Sequence, residues 1–160
     1  MVAAILACAF FLSTGVAATA KAAAALPGAG DLAADGAAAK TRHLPILLFF
    51  NRVGCPYCER ALREYLAPMQ RDPAYADRVL FRQVEIDQSK RLVDFGGRAT
   101  THREFASRYK ISLTPTIWFV DGDGKVLAEP IIGLRTVDFY GAYLDQAIAD
   151  SLAKLQAKAP

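Results

Sequence analysis

Two cysteines, Cys55 and Cys58, lie where an apolar run meets a helical pattern, and this arrangement limits the possible folds more than any other part of the sequence. The apolar run, residues 45–50, is short and bulky, which is typical of a strand buried on both faces. Asn51, Arg52 and Gly54 end it. From Cys58 to Met69 the apolar residues recur at helical spacing, which predicts an amphipathic helix. Two thiols at this spacing can close and open a small disulfide, so the motif indicates redox chemistry.

The two cysteines occupy different positions in the predicted helix. Cys58 lies on its apolar stripe, whereas Cys55 precedes the first turn, where free backbone N–H groups and the positive end of the helix dipole favour a thiolate. Pro56 suits the first turn, because a missing N–H costs nothing there. We therefore expect Cys55 to be the attacking nucleophile and Cys58 to be the thiol that resolves the mixed disulfide.

Length and charge limit the possible functions. The chain has 160 residues, of which 53% are hydrophobic, so we expect one compact domain with a sizeable core. The formal net charge is only +3 and the basic residues are scattered, so nothing indicates nucleic-acid binding. We expect a monomer that needs no cofactor other than its own cysteine pair.

The first residues of the chain predict export. Residues 1–20 carry no charged side chain, and their apolar run is followed by the small-residue site 18–20, as in a secretory signal peptide. We expect residues 1–20 to be removed and the domain to be periplasmic or otherwise exported, and Cys8 to leave with the signal. The alternative is an uncleaved segment that tethers the protein to a membrane.

The next segment, residues 21–42, is dominated by alanine and interrupted by Pro27 and several glycines. This composition predicts a flexible tether. The folded domain is accordingly expected to occupy residues 43–157.

The middle of the chain predicts a second strand at 79–87, a polar insertion at 88–99 and a second helix at 101–109. The first helix is expected to end or bend at Pro68, because the residue before a proline avoids the helical conformation.

The remaining elements complete an alternating pattern. The segments 116–120 and 125–128 flank the turn sequence at 121–124, which is a hairpin signature. A last helix has its apolar stripe over 140–155, with Thr136 as the expected N-cap. The order β-α-β-α-β-β-α predicts an α/β fold, in which a central mixed four-stranded sheet carries helices on both faces.

These elements together resemble the thioredoxin superfamily from Leu44 to Leu155. The resemblance rests on the Cys-Pro-Tyr-Cys motif after a buried strand and on three further segments. These are 84–87 ending the second strand, 114–116 opening the third, and Gly133 after the fourth. The resemblance implies the thioredoxin fold, a thiol–disulfide oxidoreductase, and Pro115 in the cis form beside the two cysteines.

Within the superfamily the chain is similar to exported bacterial thioredoxin-like proteins, such as the thioredoxin associated with sulfur-oxidation systems. This implies that Pro56, Tyr57, Thr114 and Pro115 contact the substrate. It also implies that the substrates are protein thiols or disulfides and that a membrane redox partner recycles the cysteine pair. The net direction stays open, with reduction of the substrate favoured over oxidation or isomerisation.

One departure from thioredoxin concerns proton transfer. Thioredoxin has a buried aspartate six residues before the nucleophile, whereas this chain has Phe49. The position that carries the aspartate in thioredoxin therefore supplies no proton acceptor here. Glu59 and Glu85 are the candidates for accepting a proton from Cys58.

The alternative function is a copper- or zinc-binding module that uses the two cysteine thiolates. Such a site needs further ligands, and only His43 and His102 are available. Neither has ligand spacing, so we predict no metal site and expect both histidines to be surface or structural residues, His102 on a polar helix face. Trp118 is expected to belong to the core.

Overall fold

A computed structural model describes residues 25–157, so the predicted signal segment 1–20 lies outside the described part of the chain. The helices are α1 (Leu32–Arg42), α2 (Pro56–Ala61), α3 (Ala67–Arg71), α4 (His102–Arg108) and α5 (Tyr140–Gln156). The strands are β1 (Ile46–Asn51), β2 (Leu80–Glu85), β3 (Arg91–Val93), β4 (Ala99–Thr101), β5 (Thr116–Val120) and β6 (Ile131–Ile132). None of the helices in these residues has the length and hydropathy of a membrane-spanning segment.

Four strands form one mixed sheet in the order β2-β1-β5-β6. β1 runs parallel to β2 and antiparallel to β5, and β6 pairs antiparallel to the outer side of β5. Every residue of β1 is buried, as its run of bulky apolar residues predicts. The segment expected to be only a polar insertion instead contains β3, which pairs with β4 in a separate two-stranded ribbon. The predicted α/β architecture is confirmed.

The two faces of the sheet carry separate cores. Leu47 and Phe49 of β1 pack with Cys58 in the core beneath α2, α3 and α5. Leu48 and Phe50 point the other way, into the core beneath α1 and α4. Successive residues of a strand face opposite sides, so β1 contributes to both.

The expectation of a flexible tether at 21–42 is wrong for the described residues. α1 packs on the sheet and buries Leu32 and Ala39 completely or almost so. The Asp31 carboxylate caps the helix by accepting a hydrogen bond from a backbone N–H in the first turn. The expected helix breaker Pro27 lies ahead of the cap, so the alanines that follow are free to form a helix.

The segment before α1 also belongs to the folded domain. It runs beside β2, where the Ala29 N–H donates to the Gln83 carbonyl over 2.9 Å and the Gln83 N–H donates to the Pro27 carbonyl over 2.8 Å. These bonds satisfy backbone groups at the edge of the sheet. The domain therefore begins well before residue 43.

The helix that follows the cysteines does not end at Pro68. It continues through a π-helical turn, Leu62–Leu66, into α3. The ring of a proline conflicts with the carbonyl four residues earlier and removes one hydrogen bond. The wider turn accommodates this, since the Ala67 N–H bonds to the Leu62 carbonyl five residues back.

The turn of the predicted hairpin lies where the sequence indicates, but the second strand lies further along the chain. The Gly124 N–H donates to the Asp121 carbonyl within the turn. Residues 125–128 form only an isolated bridge, through Val126, and the paired strand β6 begins after Pro130, at 131.

The last helix begins later than its expected N-cap indicates. Thr136 has a left-handed backbone, with φ of 47°, and its side chain caps no helix. A 3₁₀ turn at Val137–Phe139 follows, and α5 starts at Tyr140. The predicted apolar stripe of α5 is confirmed, with Leu144 and Ile148 buried on the sheet.

Candidate active site

The two cysteines lie at the carboxyl end of β1, where the chain turns into α2. Cys55 is the N-cap of α2, and its sulfur is bonded to that of Cys58 in a disulfide. The turn between strand and helix includes Gly54, whose φ of +69° is a left-handed conformation that glycine adopts without strain. The disulfide that the spacing indicates is therefore present at the start of the helix.

The environments of the two sulfurs differ as the sequence predicts. Cys58 is buried, with 2% of its surface exposed, whereas Cys55 is partly exposed. Two donors point at the Cys55 Sγ: the Cys58 N–H at 3.2 Å and the Thr114 hydroxyl at 3.7 Å. Hydrogen-bond donors stabilise a negative charge on sulfur, so Cys55 is the better placed of the two to exist as a thiolate.

The loop that faces the disulfide is held by backbone contacts. The Thr114–Pro115 peptide bond is cis, as the family resemblance implied. The Gly133 N–H donates to the Pro115 carbonyl over 2.7 Å, which links the loop to the end of β6. Thr114 is thereby held against Cys55.

The four residues expected to contact substrate are not equally accessible. Tyr57 is exposed over 66% of its surface, and Pro56 beside it is also exposed. Thr114 is half-buried, while Pro115 is buried. The structure brings all four together at the disulfide, and Tyr57, Pro56 and Thr114 present the accessible surface.

Neither Glu59 nor Glu85 is a buried, unpaired carboxylate of the kind that could accept a proton from Cys58. Phe49 is completely buried in the Cys58 core, so that position carries no carboxylate. Glu59 is exposed, and the Glu85 carboxylate forms an ion pair with Lys90.

Sequence reasoning missed one polar residue on the Cys58 side of the sheet. Asn51 is only 8% exposed, and its Oδ1 has no hydrogen-bond partner. A polar residue that follows an apolar run indicates only that a strand ends there. The available signal was the alternation of β1, because Asn51 follows Leu47 and Phe49 on one face. The other buried side-chain atom without a partner in the described residues is the hydroxyl of Tyr140, whose pKa is raised by burial.

The structure assigns His102 a different position from the polar helix face that was expected. It is buried, and its Nδ1 accepts a hydrogen bond from the Glu85 N–H over 3.0 Å. Its Nε2 lies 3.0 Å from the Ala29 carbonyl, to which it donates. Burial lowers the pKa of His102, so the neutral ring is favoured. His43 is exposed at the end of α1.

Trp118, expected in the core, is half-buried. Its ring lies edge-on between those of Phe50 and Tyr109, with centroid distances of 5.5 and 5.6 Å. It packs at the border of the core on the side of α1 and α4.

Comparison with known proteins identifies the same fold. Residues 32–148 match the sequence model of a family described as a thioredoxin-like domain. A DsbH oxidoreductase has a TM-score of 0.56 at 20% identity, covering 87% of this chain and 93% of that one. Mitochondrial thioredoxin 3 from Saccharomyces cerevisiae, in its oxidized form, has a TM-score of 0.53 at 18% identity, covering 78% and 94%. The thioredoxin of Fasciola hepatica also has a TM-score of 0.53 at 18% identity, covering 78% and 97%.

These structural likenesses show the fold alone, and no curated protein matches the sequence. The finer similarity to sulfur-oxidation thioredoxins stays a prediction. The family match spans most of the chain and includes Cys55, Cys58 and the cis Pro115. The chain belongs to the thioredoxin-like family.

Proposed function

We propose that this protein is an exported thiol–disulfide oxidoreductase that reduces disulfides in protein substrates through Cys55 and Cys58. The observation that carries the proposal is the asymmetric disulfide at the start of α2. Its first sulfur is partly exposed and accepts two hydrogen bonds, and its second is buried. Such a pair can attack from one sulfur and resolve from the other.

The proposed reaction has two displacement steps. The Cys55 thiolate attacks one sulfur of the substrate disulfide, that S–S bond breaks, and the released substrate thiolate takes a proton from solvent. Cys58 then gives up its proton and attacks the Cys55 Sγ, which releases the second substrate thiol and forms the Cys55–Cys58 disulfide. The substrate gains two electrons and two protons. The protein supplies both electrons and the proton of Cys58, and solvent supplies the other proton, because Cys55 reacts as a thiolate.

The surface around the disulfide supports a protein substrate. Val53, Tyr57 and Leu113 are large apolar side chains that are each at least 60% exposed. Val53 and Tyr57 lie two residues on either side of Cys55, and Leu113 precedes Thr114, whose hydroxyl contacts the Cys55 sulfur, so they form an apolar rim near the disulfide. A membrane redox partner would dock on the same rim to return the pair to the dithiol form.

The metal-binding alternative is not supported by the described ligands. Within residues 25–157, no three His, Cys, Asp or Glu side chains are grouped so that they could hold a metal ion. Both ring nitrogens of His102 are engaged with backbone groups. The alternative therefore depends on the cysteine pair alone.

Trapping variants test the proposal. In a Cys8→Ser background, which removes the remaining thiol of the chain, Cys58→Ser should accumulate covalent adducts with substrate proteins. The reason is that Cys55 still attacks and nothing resolves the mixed disulfide. Adducts are seen on non-reducing gels and should disappear with dithiothreitol. Cys55→Ser should form none, because Cys58 is buried.

The double variant Cys55→Ser/Cys58→Ser is the matched control and sets the background. Equal adduct levels in the three variants would refute the oxidoreductase proposal. Adducts on Cys55→Ser alone would reverse the roles of the two thiols.

A further inference from the structure

The side-chain oxygen of Asn51 has no hydrogen-bond partner in the disulfide form of the protein, and we look for its partner in the reduced form. Asn51 is buried at the carboxyl end of β1, and its Oδ1 has no hydrogen-bond partner. Buried polar atoms are almost always paired, because an unpaired acceptor loses its hydrogen bonds to water without replacement.

The placement of Asn51 points to the buried thiol. Leu47 and Phe49 pack in the same core as Cys58, while Leu48 lies in the core on the opposite face. By the alternation of the strand, Asn51 is the next residue on the Cys58 side. It is also the last residue of β1, at the end of the sheet where α2 begins.

The chemistry of the two redox states explains the missing partner. The sulfurs of the disulfide carry no hydrogen, so they have nothing to donate to a carbonyl oxygen. Reduction by two electrons and two protons gives Cys58 an S–H group, which is a weak donor. We propose that the Asn51 Oδ1 accepts a hydrogen bond from the Cys58 thiol in the reduced protein. This inference rests on the proposed function of the cysteine pair.

The hydrogen bond has a defined consequence for the active site. An acceptor that pairs with the neutral S–H favours the thiol form of Cys58 over its thiolate. The negative charge of the reduced pair is then left to Cys55, where the Cys58 N–H and the Thr114 hydroxyl already point. Asn51 thus stabilises the reduced state relative to the disulfide and keeps the roles of the two thiols distinct.

Two neighbouring polar groups are weaker candidates for this role. Glu85 is the register partner of Asn51 on β2, but its carboxylate is in an ion pair with Lys90. The Tyr140 hydroxyl is also buried and unpartnered, but it lies on α5, whereas Asn51 lies on the strand that leads into Cys55. Tyr140 is therefore included in the test.

The test measures the redox equilibrium of the full chain against glutathione, in a Cys8→Ser background. In this reaction the protein disulfide and two glutathione molecules give the dithiol and glutathione disulfide. Asn51→Leu, which is similar in size, should lower the equilibrium constant for reduction by about threefold to tenfold, the range expected for one net hydrogen bond. The substitution should also lower the melting temperature of the reduced protein more than that of the oxidised protein.

Ser151→Ala is the matched control for loss of a buried polar group. The Ser151 hydroxyl donates to the Ala147 carbonyl within α5, independently of the thiols. This variant should change the melting temperature equally in both redox states and leave the redox equilibrium unchanged. An unchanged equilibrium in Asn51→Leu overturns the inference. A shift in Tyr140→Phe but not in Asn51→Leu assigns the partner to Tyr140 and overturns it as well.

A second measurement leaves Asn51 in place and so does not depend on the folding of its variants. In the Cys8→Ser/Cys55→Ser chain, Cys58 is the remaining thiol, and its Raman S–H stretch should lie at the lower frequency of a hydrogen-bonded thiol. A free S–H frequency overturns the inference. Failure of the Cys8→Ser parent to exchange with glutathione would refute the proposed function instead, so the two failures are distinguishable.

Discussion

At the level of single residues, the described core contains several buried polar side chains, among them His102 and Asn51. His102 joins three parts of the chain, because its own helix α4 is bonded through the ring to Glu85 of β2 and to Ala29 of the segment before α1. The ring must be neutral for this, since Nδ1 accepts a hydrogen bond and carries no proton. Asn51 differs from it in having no partner while the disulfide is present.

The burial of His102 predicts a pH-dependent stability. Its pKa is lowered by desolvation, so as the pH falls below about 6.5, the ordinary value for histidine, the unfolded chain binds a proton before the folded chain does. The free energy of unfolding should therefore fall as the pH is lowered from 7 to 5, and this loss should end below the pKa of the folded state. Urea unfolding at a series of pH values measures it.

The variants separate His102 from other titrating groups. His102→Gln should be less stable at pH 7 and should lose most of the slope between pH 7 and 5. His43→Gln removes a histidine at an exposed site and is the matched control. The paired carboxylate of Asp94, whose pKa is lowered by the hydrogen bond from the Arg98 N–H and by Arg108, titrates at lower pH and does not affect this window. If the free energy of unfolding of His102→Gln kept the full dependence on pH, the dependence could not be assigned to His102.

At the scale of elements, close contact between α1 and the hairpin turn fixes the position of the helix. Gly36 of α1 faces Gly122, and a Cβ at Gly36 would overlap the carbonyl oxygen of Gly122. An exposed ion pair between Lys40 and Asp123, at 2.6 Å, lies beside this contact. Exposed ion pairs contribute little, so the backbone contact is the more important of the two.

Gly36→Ala should therefore destabilise the protein although alanine favours helix. The helix propensity of alanine would add about 1 kcal/mol, but overpacking against a backbone carbonyl costs about 1–3 kcal/mol. The expected result is a net loss on the order of 1 kcal/mol in the free energy of unfolding, measured by urea unfolding. Gly30→Ala is the control, because an added Cβ there meets no atom within 4 Å. A more stable Gly36→Ala protein would show that α1 moves freely on the turn.

At the level of the whole molecule, the described segment from 26 to 42 is part of the folded domain and completes it. The segment from Leu26 to Asp31 covers the edge of β2, and α1 covers one face of the sheet. Without them, the core formed by Leu48, Phe50 and Val84 would lose one of its covering layers. Exposed apolar surface and an open strand edge both favour aggregation.

Truncation tests this boundary. A chain that begins at Ala25 keeps the described contacts and should melt at the temperature of the full chain. A chain that begins at His43 should lose stability and should show increased binding of a hydrophobic dye, because α1 and the edge segment are missing. Equal melting temperatures of the two truncated chains, measured by circular dichroism, would restore the tether interpretation.

The elements with local sequence patterns could be predicted from the chain alone. The bulky run before Cys55, the helical stripe after it, the turn at 121–124 and the stripe of α5 each predicted the element that is present. The spacing of the cysteines predicted their disulfide, and their positions relative to the helix predicted which one is buried. These features depend on residues close to each other along the chain, whose periodicity is independent of the rest of the fold.

Features that depend on contacts between distant parts of the chain could not be predicted in this way. The alanine-rich α1 has a weak pattern of its own, and its burial requires the sheet and the turn at Gly122 to be in place. His102 was assigned to a polar face because its partners, at positions 29 and 85, are far away in the sequence. The alternation of β1 places Asn51 on one face of the strand, but only the folded structure shows that its oxygen is buried without a hydrogen-bond partner.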